Sequence, residues 1–230
     1  MSRPGRFLAA PIVCISLLAA SACQQPALAS EEAVLAPAPK LSADETQGLK
    51  TAIFAGGCFW GVEGVFSHVR GVTSAVSGYH GGTKADANYR SVSMGRTAHA
   101  EAVRVTYDPA VVRYDELLRI FFSVVADPTL TNRQGPDVGK HYRAALIPLG
   151  DEQRKVAAAY IAQMKKSGVW SKPIVTGIEG YSGFYPAETY HQDYMVKNPD
   201  SAYIRRWDAP KVRALARLYP ASYRKAFKRG

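Results

Sequence analysis

One cysteine, set where an apolar strand gives way to a helix, constrains this 230-residue chain more than any other feature. Cys58 lies in Gly56-Gly57-Cys58-Phe59-Trp60-Gly61, directly after the apolar run Thr51-Ala-Ile-Phe-Ala. The run reads as a short buried strand, and the glycine pair permits a sharp turn. Apolar residues then recur at Phe59, Val62, Phe66 and Val69, a spacing of three, four and three that describes one face of a helix. A thiol in the first turn of such a helix meets unpaired backbone N–H groups and the positive end of the helix dipole, both of which favour the nucleophilic thiolate. The alternative is a buried structural cysteine of the kind many cores contain.

The start of the chain reads as an address. Arg3 and Arg6 precede an apolar stretch, Phe7 to Ala20, that Pro11 interrupts and that is short for a membrane span. Residues 1–29 are therefore expected to be an export signal with two competing exits. Ala20-Ser-Ala-Cys23 resembles a lipoprotein cleavage box in which Cys23 would be acylated, and Ala27-Leu-Ala29 offers an ordinary cleavage site. The expected location is the periplasm, with a lipid anchor if the first exit is used. Of the three cysteines, Cys14 falls within the signal and Cys23 at its end, so Cys58 is left as the thiol of the folded body. That count excludes an internal disulfide framework, a C-x-x-C redox pair and a cysteine-held zinc. The five histidines, His68, His80, His99, His141 and His191, have no ligand-like pairing either, and no metal is expected.

Residues 30–49, rich in Ala, Pro, Glu and Ser, read as a flexible spacer. A globular body follows over 50–199. Strands are expected at Val72–Tyr79, Ala98–Tyr107, Tyr142–Leu149 and Pro173–Glu179, and helices after Asp115-Glu116 and over Asp151–Lys166, with a long polar loop at 126–139. Strands alternating with helices, plus one antiparallel return, suggest a two-layer α/β sandwich with helices packed on a mixed sheet. Residues 200–230 differ in kind: from 201 onward nine Lys or Arg face the single Asp208, which supplies most of the net charge of +10. This basic tail is read as a solvated helical face, with contact to anionic lipid as the second option; nucleic acid is not an expected partner of an exported chain.

Glu101 opens the alternating run Glu101-Ala-Val-Arg-Val-Thr-Tyr107 and shares a side with Val103, Val105 and Tyr107. A carboxyl among apolar neighbours resists ionisation and becomes a proton donor. The same alternation also allows a strand-end glutamate that reaches water or pairs with Arg104 or Arg96. Tyr89, Tyr142, Tyr181, Tyr185 and Tyr190 read as packing residues, and Asp137 as a local turn former.

Taken together, Gly-Cys-Phe-Trp-Gly at 57–61, Thr-Ala-His-Ala-Glu-Ala at 97–102, Tyr107-Asp-Pro, Asn132-Arg-Gln-Gly-Pro-Asp-Val-Gly and Tyr190-His-Gln-Asp-Tyr194 resemble the A class of peptide methionine sulfoxide reductases. The resemblance spans about residues 50–199. It implies a ferredoxin-like α/β sandwich and reduction of methionine S-sulfoxide, free or in oxidised proteins. In that scheme Cys58 is the nucleophile that becomes a sulfenic acid, Phe59 and Trp60 line a methyl pocket, and Glu101 protonates the sulfoxide oxygen. Tyr89 and Tyr142 match tyrosines that hydrogen-bond that oxygen, and Asp137 matches a carboxylate near the cysteine. No bound cofactor is implied.

Three departures from the family pattern, Ala98, Ala126 and Lys140-His141, remove no catalytic group. A fourth matters more: many relatives carry one or two recycling cysteines near the C-terminus, and the tail here has none. An external thiol, either a thioredoxin-like protein or a small dithiol, is therefore the expected reductant of a monomeric enzyme. Two other classes fit the residues less closely. A cysteine hydrolase would need a histidine base that no motif marks out, and a surface-binding lipoprotein would leave the pairing of thiol and acid without a purpose.

Overall fold

The computed structural model describes residues 33–230 and Met1. The expected export signal, Cys14 and Cys23 lie outside the described residues. Strand β1 (Lys50–Gly56) leads into helix α1 (Phe59–Ser67), and β2 (Val72–His80) returns beside it. A short helix α2 (Tyr89–Ser93) precedes β3 (Ala100–Tyr107), and α3 (Tyr114–Ile120) continues into a π-helical turn, Phe121–Val125. The long loop then carries a two-residue hairpin, β4 (Arg133–Gln134) with β5 (Asp137–Val138). Next come β6 (Ala144–Ile147), α4 (Asp151–Lys165), β7 (Gly177–Ile178), β8 (Phe184–Pro186), α5 (Tyr194–Lys197) and α6 (Ala209–Leu218).

Six strands form one mixed sheet in the order β7-β6-β1-β3-β2-β8, in which only β6 and β7 run parallel. Alternation divides β3 between two faces: Val103, Val105 and Tyr107 join the main core with the helices, and Ala100 and Ala102 join a smaller cluster with Ile53, Ala55 and Phe184. Phe54 of the central strand stacks on Phe66 at 4.8 Å and on Phe121 at 5.6 Å, which ties α1 and the end of α3 to the sheet. This is the expected two-layer α+β architecture. The strand expected over 173–179 is reduced to β7, because in this structure only Gly177 and Ile178 pair with β6.

Two expectations are corrected. The spacer read over residues 30–49 is, from 33 onward, a packed strap. The Ala36 N–H donates to Ser123 Oγ at 3.0 Å and the Ala43 N–H to Asp115 Oδ1 at 2.9 Å, and both alanines are buried. Small side chains and backbone groups do the docking, so no hydrophobic period announces it.

The segment 200–230 is likewise part of the body rather than a tail. A π turn, Ile204–Asp208, and α6 bury Ile204, Asp208, Ala214 and Leu215. The chain then returns to the C-terminal end of α1, where the Arg224 guanidinium donates to the Ser67 carbonyl at 3.1 Å and the Val72 carbonyl at 2.8 Å. Seven of its nine positive charges are exposed, while Lys211 and Arg224 reach inward to backbone carbonyls, and the composition showed only the charge.

Candidate active site

Cys58 is the N-cap of α1, and its carbonyl accepts the Gly61 N–H at 3.2 Å. The turn that presents it depends on Gly57, whose φ of +89° lies in the region glycine favours; a Cβ there would also stand 2.6 Å from the Cβ of Gln134. Gln134 is fixed in turn, accepting the Asp127 N–H and donating to the Asp127 carbonyl, both at 2.9 Å.

Glu101 reaches this turn from β3. It is 1% exposed, and its Oε2 accepts the Phe59 N–H at 2.9 Å. Burial raises its pKa to about 8; the Phe59 N–H opposes that rise, while Asp137 and Asp208 add to it. The contact with Phe59 decides between the two readings of Glu101, which neither turns to water nor pairs with an arginine.

For Cys58 the outcome is the reverse of the sequence expectation. Burial pushes its thiol well up, the carboxyls of Glu101, Asp208 and Asp137 push it further, and only the Trp60 N–H acts the other way. Burial first, and the three carboxyls after it, hold the resting sulfur as a thiol.

Other elements complete the chamber. Tyr89 begins α2 behind an Asn88 cap, and its N–H donates at 2.8 Å to Glu188, which also takes the Tyr79 hydroxyl. Tyr142 closes a 3-10 turn and Asp137 lies on β5. The phenols of Tyr89 and Tyr142 are both pushed up, by burial first and then by Glu101, so they remain hydrogen-bond donors. Trp60 is held flat against Tyr194, 3.7 Å between centroids, and its indole N–H donates to His191 Nδ1 at 3.2 Å.

A cavity of about 170 Å³ brings together Cys58, Phe59, Trp60, Tyr89, Glu101, Asp137 and Tyr142, which are all seven of the residues singled out above. Sequence reasoning missed its eighth wall, Tyr203, whose hydroxyl donates to Asp137 Oδ2. It also passed over Asp208, buried against α1 where Gly61 leaves room for it. A lone acid among nine cations was the available signal for Asp208; Tyr203 had none. Chemically, the chamber offers a nucleophilic sulfur, a protonated carboxyl and two phenol donors around a small apolar recess.

The sequence model of one protein family, described as peptide methionine sulfoxide reductase, matches residues 50–221. The chain is similar to peptide methionine sulfoxide reductase MsrA 2 of Mesorhizobium japonicum, 54% identical over 176 residues that cover 76% of this chain and 90% of that protein. It is 51% identical to peptide methionine sulfoxide reductase MsrA of Deinococcus radiodurans over 168 residues, 73% of this chain and 81% of the other. Among solved structures it resembles Mxr1 from Saccharomyces cerevisiae in reduced form, with a TM-score of 0.57 at 32% identity over 70% of this chain and 92% of that one. Methionine sulfoxide reductase A of Corynebacterium diphtheriae gives a TM-score of 0.55 at 30% identity over 76% and 92%.

Proposed function

The chain belongs to the peptide methionine sulfoxide reductase family, and from that premise we propose how its own residues perform the reaction. It is an oxidoreductase that returns methionine S-sulfoxide to methionine and thereby repairs oxidised proteins. The observation that carries the residue assignment is the Glu101 carboxyl, raised to about 8, in one chamber with Cys58. A sulfoxide oxygen is a poor leaving group until it is protonated. Glu101 gives its proton to that oxygen, Tyr89 and Tyr142 steady the developing charge, and the emerging Glu101 carboxylate takes the proton of Cys58. The thiolate so produced attacks the substrate sulfur and forms an S–S bond; the hydroxyl then moves to the Cys58 sulfur as the S–O bond and that S–S bond break, which frees the thioether. One thiol and one sulfoxide become one sulfenic acid and one thioether, with no net proton exchanged. Phe59 and Trp60 supply an apolar recess of the size a methyl group requires.

Cys58 is the only free cysteine among the described residues, which supports recycling from outside the fold. A thiol condenses with the sulfenic acid to give a mixed disulfide and water, and a second thiol releases Cys58. The donor is a thioredoxin-like protein or a small dithiol. The arginine-flanked apolar leader supports export to the periplasm, with Cys23 as the acylation point of an anchored form. The mass of the mature N-terminus tests that placement.

Separate S and R epimers of a methionine sulfoxide peptide, offered with dithiothreitol, test the activity. Consumption of the S epimer alone is expected. An enzyme that leaves both untouched overturns the reading, and a disulfide within the oxidised protein overturns the external-thiol scheme.

A further inference from the structure

Helix α1 carries a second buried carboxyl that the reaction does not use. Glu63 lies one turn beyond Phe59 and Trp60 and is 1% exposed. Its Oε1 accepts the Asp193 N–H and its Oε2 the Ser77 hydroxyl, both at 3.0 Å. The backbone of Ser77 is joined to the same distant segment. Its N–H donates to Gln192 Oε1 and its carbonyl accepts from Gln192 Nε2, both at 2.9 Å. Helix α1, strand β2 and residues 192–193 are thus closed into one network.

The backbone that Glu63 grips is strained. Asp193 has φ +56° and ψ +27°, and among the described residues only Asn132 shares a positive φ outside glycine. The side chain of Asp193 does not cap α5; it reaches Lys197 Nζ at 3.5 Å and accepts the Gly230 N–H at 3.4 Å. The turn matters for what flanks it. Tyr194 lies on Trp60 with 7° between the rings, and His191 accepts the Trp60 indole N–H.

We propose that Glu63 is a positioning residue for the methyl recess: by holding the Asp193 amide it fixes the left-handed turn that lays Tyr194 on the Trp60 ring. The assignment rests on the reading of Trp60 as a wall of the reductase site. Burial raises the pKa of Glu63 to about 7, against the Asp193 N–H and the Ser77 hydroxyl, which lower it. Either charge state leaves an oxygen for the Asp193 N–H, so the hold is one of geometry rather than charge. Without that acceptor, Asp193 keeps a buried, unpaired N–H in a strained backbone. The turn then relaxes and draws Tyr194 off the indole.

Two measurements on the full chain test this. In the unaltered protein the Asp193 amide should exchange with deuterium about 10³-fold or more slower than an unstructured amide. Exchange at the free rate overturns the proposal. The second measurement is turnover of an S-sulfoxide peptide with dithiothreitol. Glu63→Met keeps the length of the side chain and removes both acceptors. It should raise KM about fivefold, the worth of one buried methyl group, and leave kcat within about twofold, because the recess grips the methyl equally before and during reaction. Glu63→Gln keeps an oxygen for the Asp193 N–H, and its KM should stay within about twofold of the unaltered value. Glycine adopts the left-handed turn without steric cost, so Asp193→Gly added to Glu63→Met should recover at least half of the loss in KM. An unchanged KM in Glu63→Met, a fall in kcat in place of the rise in KM, or an equal rise in Glu63→Gln overturns the proposal. If Glu63→Met does not fold, amide exchange and Glu63→Gln still decide it. Amide exchange needs no substrate, so a chain inactive toward both epimers would overturn the reductase reading and still leave the hold on Asp193 decided.

Discussion

Burial, more than any single contact, sets the resting charge of the site. The Phe59 N–H donates to Glu101, and burial first, then the charges of Glu101, Asp208 and Asp137, hold the thiol of Cys58 well above its ordinary value beside a carboxyl at about 8. In the free enzyme, iodoacetamide should therefore alkylate Cys58 slowly at pH 7, with the rate still climbing beyond pH 9; a plateau below pH 8 would contradict the assignment. Glu101 acts in its protonated form, which is present below about 8 and lost as the pH rises through that value. Methionine formation should fall above about pH 8. Glu101→Gln should slow the reaction by about 10²- to 10⁴-fold, the usual worth of a general acid, and abolish that alkaline limb. Cys58 and Glu101 were legible in the sequence because turn glycines and strict alternation fix where each points. The sign of the thiol shift was not, because it depends first on how deeply the folded chain buries Cys58 and then on three carboxyls brought in from β3, β5 and the C-terminal turn.

Element boundaries followed from pattern wherever an apolar period does the packing. The three-four-three spacing in α1 and the alternation in β3 translate directly into the main core. Residues 33–49 dock mainly through backbone groups, and 219–230 through backbone groups with the scattered side chains of Tyr219, Tyr223, Arg224 and Phe227; neither leaves a period to read, so a spacer and a tail were expected where the fold has a strap and a clasp. The clasp is testable at Arg224. Its guanidinium satisfies the Ser67 and Val72 carbonyls at the end of α1, and its backbone N–H donates to the His68 carbonyl at 2.8 Å. Arg224→Ala leaves two part-buried carbonyls short of a charged donor, a loss of about 1–3 kcal/mol. For a chain of this size the thermal midpoint should drop by about 2–4 °C per kcal/mol, and calorimetry measures it directly. The chamber is built at the opposite end of α1, so the single-turnover yield of methionine should hold. A midpoint identical to that of the unaltered protein would show that the clasp contributes nothing.

The whole molecule keeps its acid at a cost in stability that varies with pH. A carboxyl raised from 4.5 to about 8 on folding is bound to its proton in the native state and free of it in the unfolded chain between those values. The native state then holds the extra proton, so stability falls as pH rises through that window. Glu63, buried under α1 with its pKa raised to about 7, acts in the same sense, while the lowered pKa values of His68, His80, His141 and His191 act in the opposite one. A melting curve of the unaltered protein alone sums all of these. The difference between it and Glu101→Gln isolates Glu101, because the amide keeps an oxygen for the Phe59 N–H and does not titrate. Below pH 4.5 that difference should be constant. It should then shift steadily in favour of Glu101→Gln up to about pH 8 and level off, leaving the substituted protein the more heat-resistant of the two at pH 8.5 although it barely turns over. A difference independent of pH between 4.5 and 8 would mean that Glu101 ionises in the folded protein as readily as in water, and the proton it is assigned to deliver would not be there.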